Sequence, residues 1–310
     1  MTIFFWNLLL VATTLACLST LAGFLGRTWW VFELTSHFRL QYFIFLVISS
    51  LFLFFNNGIY LGLGASFFAL LNLYLLVPYY LRSRESTSSE KPHRVLLANI
   101  LKRNQSYERV RGLIRSHDPD FVALIEVSQK WMQELECLRS EYPFIKSAPR
   151  TDDYGLALFS RHPIKQAEIQ YFGDTDRPTI VAQLDLAGKS ILLVIPHPSP
   201  PKSQHDAILR NRQLSEIAKY IANHNGPKFL IGDLNITPWS PYFADLLDQG
   251  GLRESRRGFG LRPTWPTTMP LLYIPIDHIL VSPEIRVHKH QLGPRIGSDH
   301  RPVRVDFSIT

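Results

Sequence analysis

Phe229-Leu230-Ile231-Gly232-Asp233-Leu234-Asn235 is the stretch from which the chain is best read. Its apolar start has the composition of a buried strand. A glycine then frees the backbone, and a carboxylate and a carboxamide follow two positions apart. On an extended chain that spacing points both side chains to one side. An acid and an amide together at a strand end suit a hydrated cation or a phosphate. Four more short apolar runs end in polar residues: Leu96-Leu97-Ala98-Asn99, Val122-Ala123-Leu124-Ile125-Glu126, Ile276-Asp277-His278-Ile279-Leu280 and the loop Gly297-Ser298-Asp299-His300.

Outward from these runs, strands are expected over Arg94–Ile100, Phe121–Ile125, Gly155–Ser160, Ile169–Tyr171, Thr179–Leu186, Ser190–Ile195, Lys228–Ile231, Ile276–Val281, Ile285–His290 and Val303–Ile309. Ala187-Gly188 reads as a turn. Helices are expected over Tyr107–Ser116, from Ser128 to about Ser140, over His205–Ala222 and over Ser240–Leu247. Strands and helices alternate early, and strands dominate later. That order predicts mixed sheets with helices outside, an α/β sandwich. His288 and His290 alternate on a strand and read as a solvated face. Residues 250–270 are rich in Gly, Arg and Pro and read as irregular.

The charge is unevenly spread. Residues 1–81 carry only Arg27, Glu33 and Arg39, whereas residues 91–310 hold 29 of the 33 Lys+Arg and 23 of the 26 Asp+Glu. Ile3–Phe24 is uncharged and long enough to cross a bilayer core, which takes about 20 apolar residues. With no Lys or Arg ahead of it, it reads as an uncleaved span rather than a secretory signal. Gln41–Tyr80 is too long for one crossing and is broken by Asn56-Asn57-Gly58, good turn chemistry. Two further spans follow, Leu40–Phe55 and Ile59–Tyr80. The expected organisation is therefore a three-span anchor (1–81), a polar linker (82–92) and a large domain (93–310), in a multi-pass cell-membrane protein. Arg27, Arg39, Arg82 and Arg84 fall on the side of the large domain and argue for a cytosolic placement. Cys17 and Cys137 lie in dissimilar surroundings and form no disulfide. The net +6 of residues 91–310 favours an anionic substrate or surface.

Several chemistries are excluded by spacing. No Gly-rich loop precedes a Lys-Ser/Thr pair, no Cys/His cluster has zinc spacing, and no Gly-x-Ser-x-Gly elbow occurs. What remains is a set of oxygen ligands and histidines: Asn99, Glu126, His197, Asp233, Asn235, Asp277, Asp299 and His300. Few carboxylates with amides suit Mg²⁺, which keeps several waters. Paired Asp and His suit proton transfer.

Taken in order, these motifs resemble the endonuclease/exonuclease/phosphatase superfamily, the Mg²⁺-dependent phosphohydrolase fold of deoxyribonuclease I and neutral sphingomyelinases. The likeness runs from about Arg94 to Ile309. It implies a four-layer α/β sandwich of two mixed β-sheets flanked by helices, here preceded by three transmembrane helices. By the same resemblance, Asn99, Glu126 and Asp299 hold or adjoin the metal, Mg²⁺ with Mn²⁺ as the alternative. His197 contacts phosphate, Asp233 activates water, Asn235 holds a phosphate oxygen, Asp277 orients a histidine and His300 stabilises the phosphoryl group. Gly155–Ile164 resembles a family segment in which Leu156 replaces an asparagine. Arg256 and Arg257, in the irregular 250–270 region, are the candidate substrate-binding cations.

The expected function is membrane-anchored hydrolysis of a phosphoric ester, a lipid-linked phosphate or pyrophosphate by proximity to the bilayer. A nuclease is the enzymatic alternative, and a non-catalytic tethered binding protein the alternative from another class. No obligate protein partner is evident. Three-span bacterial members of the superfamily are thought to act outside the cytosol, opposite to the placement from the charge count.

Overall fold

The computed structural model describes residues 3–81, 92–186 and 188–310. Apart from Pro92, the expected linker lies outside the described residues, as does Ala187 of the expected turn. The chain runs α1 (Ile3–Ala22), α2 (Trp30–Thr35), α3 (Arg39–Phe55), α4 (Ile59–Leu76), β1 (His93–Asn99), α5 (Tyr107–His117), β2 (Phe121–Ile125), α6 (Gln129–Glu134), β3 (Phe144–Ala148), β4 (Leu156–Ser160), β5 (Ile164–Tyr171), β6 (Pro178–Leu186), β7 (Lys189–Pro196), α7 (Gln204–Ala222), β8 (Lys228–Asp233), α8 (Pro241–Gly250), β9 (Arg253–Glu254), β10 (Asp277–Val281), β11 (Ile285–Leu292) and β12 (Val303–Ile309).

The strands form two six-stranded mixed sheets, ordered β11-β12-β1-β2-β4-β3 and β5-β6-β7-β8-β10-β9. The central strands of each are apolar on both faces. In β1, Val95 and Leu97 face the other sheet while Leu96 and Ala98 face α5. In β8, Phe229 and Ile231 face inward and Leu230 faces α7 and α8. Strands covered on both faces read as unbroken apolar runs, which is why the sequence marks them so clearly. The result is the expected four-layer sandwich, helix-sheet-sheet-helix. The inward rows also place the site. Val95, Leu97 and Asn99 are successive same-side positions of β1, as are Phe229, Ile231 and Asp233 of β8, and Val281, Ile279 and Asp277 of β10. The polar residues are the last members of core-facing rows, at one end of the space between the sheets.

Three departures from expectation have local causes. Strand β3 is absent from the sequence reading, because its pattern is half-buried throughout and carries no apolar run. Helix α6 ends at Glu134 and passes into a short 3₁₀ turn. A bulge between Val287 and Lys289 breaks the alternation of β11 at His288. His290 is buried against Ser255 instead of solvated.

Three helices are long and apolar enough to cross a membrane, Ile3–Leu25, Trp30–Phe55 and Ile59–Tyr79. The second begins ten residues earlier than expected, since α2 and a 3₁₀ turn lead straight into α3. The reason is Glu33, which is not exposed in a loop but buried on the sandwich. Its carboxylate accepts from Arg210 of α7 at 2.6 Å and from Ser240 at 2.7 Å. Leu76, Tyr79 and Leu261 form a shared apolar seam, and Gly260 N–H donates to the Tyr79 carbonyl. Tyr79 thus packs inside this seam, nearly fully buried. Within the spans Arg39 donates to the Thr20 carbonyl at 2.8 Å, and Asn72 donates to Thr20 Oγ1 at 2.9 Å. Arg27 pairs with Asp245. Two of the four arginines counted for orientation are therefore committed to internal contacts.

Candidate active site

Gly232 lies against the last residue of β7. A Cβ there would lie 2.2 Å from the Pro196 carbonyl oxygen, so only glycine lets β8 run beside the β7 exit. Close approach, rather than a turn, is what the glycine provides. One residue on, Asp233 is buried and paired across the ladder with Asp277. Two of the neighbouring polar residues hold left-handed backbone, Glu126 at φ 63° and Asn235 at φ 51°. Such conformations cost roughly 1–3 kcal/mol each and gather at functional sites. At Glu126 the effect is geometric. It breaks the alternation of β2 and turns the carboxylate back over the end of the sandwich.

The side chains converge on Asp233. His197 Nε2 lies 3.5 Å and His300 Nε2 3.6 Å from its Oδ2. Asn99 Nδ2 donates to Asp233 Oδ2 at 3.2 Å and to Glu126 Oε1 at 3.0 Å. His300 Nδ1 donates to Asp277 Oδ2 at 2.9 Å, which fixes the ring with Nε2 toward Asp233. His197 is fixed likewise, its Nδ1 donating to the Asp153 carbonyl at 3.1 Å. The Asn235 amide donates to the Pro198 carbonyl, and its backbone N–H to Asp233 Oδ1. Asp299 accepts from Trp265 Nε1 at 3.1 Å through Oδ2, while its Oδ1 is buried with no hydrogen-bond partner.

The electrostatics follow from this packing. Burial lowers the pKa of His300, but the carboxylates of Asp277 and Asp233 outweigh it and raise the imidazolium to about 10. Burial likewise opposes charge on Asp233, yet His300 and His197 hold its carboxyl below the usual range. For Asp277, burial and the charge of Asp233 push upward against the pull of His300. The site therefore presents an ionised carboxylate between two histidines whose pKa values it raises, His300 being cationic.

A cavity of about 750 Å³ opens over this cluster. Glu126, His197, Asp233, Asn235, Asp299 and His300 line it, with Lys102, Arg103 and Lys202 among the cations. Sequence reading missed Lys102, although it follows the Asn99 strand end directly and its backbone N–H donates to Glu126. It also missed Leu34, His37 and Phe38, which reach the cavity from the first turns of the second candidate span. No local signal could have found them, since the contacts span about 200 residues, as between His37 and Thr237. The substrate-binding role expected of Arg256 and Arg257 does not fit their positions. Arg256 is buried beneath the site, donating to the Asp277 carbonyl and paired with Glu254, and Arg257 is exposed away from the cavity. Leu156 points into the inter-sheet core.

The donor set fits a hard divalent cation. Glu126 and Asp299 bring carboxylates to one cavity, Asn99 an amide beside them, and the orphaned Asp299 Oδ1 needs a positive partner. Asp233, Asp277 and His300 also lie close enough to share an ion. The 2.9 Å hydrogen bond between His300 and Asp277 instead occupies those lone pairs in a proton-bearing pair. A second cluster, His93, Asp120 and His162, sits at the opposite end of β1 and β2 and is already satisfied by its own hydrogen bonds.

Comparison with known proteins agrees with this geometry. A family model described as "Endonuclease/Exonuclease/phosphatase family" matches residues 93–300. No curated protein sequence matches the chain. Among solved structures, the fold is similar to that of D. rerio TDP2 complexed with a single-strand DNA product, at TM-score 0.59 and 20% identity, covering 71% of this chain and 100% of that one. The human Nocturnin catalytic domain with bound sulfate gives TM-score 0.59 and 19% identity, covering 71% and 94%. Sphingomyelinase C from Streptomyces griseocarneus gives TM-score 0.54 and 18% identity, covering 70% and 99%.

Proposed function

The chain belongs to the endonuclease/exonuclease/phosphatase family, and from that premise we propose that it is a membrane-anchored, divalent-metal-dependent hydrolase of phosphoric esters whose substrate carries an apolar chain. The observation that supports it most is the buried Asp233 carboxylate between His197 and His300 at the floor of a cation-rimmed cavity.

Mg²⁺ or Mn²⁺, held by Glu126 and Asp299 with Asn99 beside them, would supply charge neutralisation on the phosphoryl oxygens. The chain's own residues supply the rest. Asp233 takes a proton from the attacking water, and Asn235 and His197 orient the phosphoryl group. His300, kept cationic by Asp277, stabilises charge that builds on the phosphoryl oxygens in the transition state. The cationic rim of Lys102, Arg103 and Lys202 attracts the anionic ester. The three apolar helices keep this cavity beside a bilayer and favour a phosphate carried on a lipid.

The test is a panel of phospholipids, polyprenyl pyrophosphates and nucleic acids, offered to the detergent-solubilised full chain with Mg²⁺. Turnover of a lipid-linked ester with little on nucleic acid is expected. Preferential cleavage of nucleic acid, falling steeply with salt, would favour the nuclease reading. Binding without turnover across the panel would favour a tethered binding protein.

A further inference from the structure

The catalytic cavity is lined by two kinds of residue. Asp233, the histidines and the metal-ligand carboxylates are one kind, and Leu34, Phe38, Trp265, Ile274 and Ile276 are the other. Trp265 joins the two, since its Nε1 donates to Asp299. Leu34 and Phe38 belong to the helix Trp30–Phe55, the second candidate span, so this part of the lining is continuous with a membrane helix. The Trp265–Ile276 loop closes on itself through a Trp265–Ile274 bridge, and Gln41 in the first turn of α3 donates to its Tyr273 carbonyl at 2.9 Å. The tip of the loop carries Met269, Leu271 and Leu272, all exposed, Leu271 at 85%. An exposed apolar tip held beside a span has an evident apolar environment available to it, the bilayer.

We propose that the Leu34–Phe38 wall and the Trp265–Ile276 loop form an apolar subsite for the hydrocarbon chain of the substrate. The phosphoester reaches Asp233 while the rest of the chain stays in the membrane beside the Met269–Leu272 tip. The anchor thus selects the substrate as well as holding the enzyme at the bilayer. This inference rests on the phosphoester-hydrolase reading for what happens to the headgroup, and on the cavity alone for the chain.

The experiment measures binding of hexadecylphosphonate and methylphosphonate to the full chain in detergent, by calorimetry, for the native protein, Leu34→Ser and Phe38→Ala. Both positions are half-buried, so either variant can fold independently of the other's outcome. The native chain is expected to bind the long phosphonate at least about tenfold more tightly than the short one. Each variant is expected to lose about tenfold on the long phosphonate and less than about twofold on the short one. Equal affinity for both ligands in the native chain would overturn the subsite, as would equal losses on both ligands in both variants. Selective chain binding by a native protein that hydrolyses no phosphoester would leave the subsite standing and remove the hydrolase reading.

Discussion

At the residue scale the account depends on how buried charges are paired. His300 is cationic because Asp277 and Asp233 outweigh its burial. Asp277→Asn keeps the shape but removes the carboxylate that orients the ring. Steady-state kinetics should show kcat lower by ~10²-fold with KM little changed, as expected when a positioned group that stabilises transition-state charge is disabled. Asp120, beside β2 in the other sheet and at its far end, gives a pH prediction independent of the active site. Burial raises its pKa, but hydrogen bonds from His93, His162 and the Arg94 N–H outweigh it and hold the carboxyl well below the usual range. A depressed folded pKa stabilises above the unfolded value, near 4, and that stability is lost as pH falls toward the folded one. Thermal melting between pH 6 and pH 3 should therefore drop more for the native chain than for Asp120→Asn. Parallel curves for the two would show the carboxylate to be uncoupled from folding.

At the element scale, the strand ends were the legible part of the site. Asn99, Asp233 and Asp277 continue period-two rows of core residues, so a sequence pattern specifies where they point. Glu126 was legible as a strand-end carboxylate, but its turn back over the sandwich depends on a left-handed backbone that no pattern reveals. Arg256 misled because a cation in an irregular segment looks solvated, while Glu254 and the Asp277 carbonyl hold it inside. The segment Trp30–Phe38 falls outside the spans expected from the sequence, because nothing local signals that Glu33 will meet Arg210 across 177 positions. That ion pair is fully buried and also braces the catalytic loop, since Arg210 donates to the Asn235 carbonyl at 2.9 Å. Removing one partner of such a pair leaves a buried charge uncompensated, at about 3–5 kcal/mol. Glu33→Gln should lower the melting temperature of the solubilised chain, and Glu33→Gln combined with Arg210→Met should recover part of the loss. An unchanged melting curve for Glu33→Gln would mean that anchor and sandwich are uncoupled.

At the scale of the whole molecule, composition separated the apolar anchor from the mixed-sheet domain, and the order of motifs identified the family. The way the two parts combine was not legible, because it rests on contacts between residues far apart in the chain: Glu33 with Arg210, His37 with Thr237, Tyr79 with Gly260. Those contacts make the anchor a wall of the catalytic cavity, so the full chain is the proper object for assay. The central claim is that Asp233 serves metal-dependent phosphoester hydrolysis. Its most direct test is the initial rate of phosphoester cleavage by the chain of 310 residues with Mg²⁺, with chelator, and as Asp233→Asn. The account predicts a rate that chelator abolishes and Mg²⁺ restores, and that Asp233→Asn lowers by ~10²–10⁴-fold without loss of fold. A rate indifferent to chelator, or an Asp233→Asn variant as fast as the native chain, would contradict it.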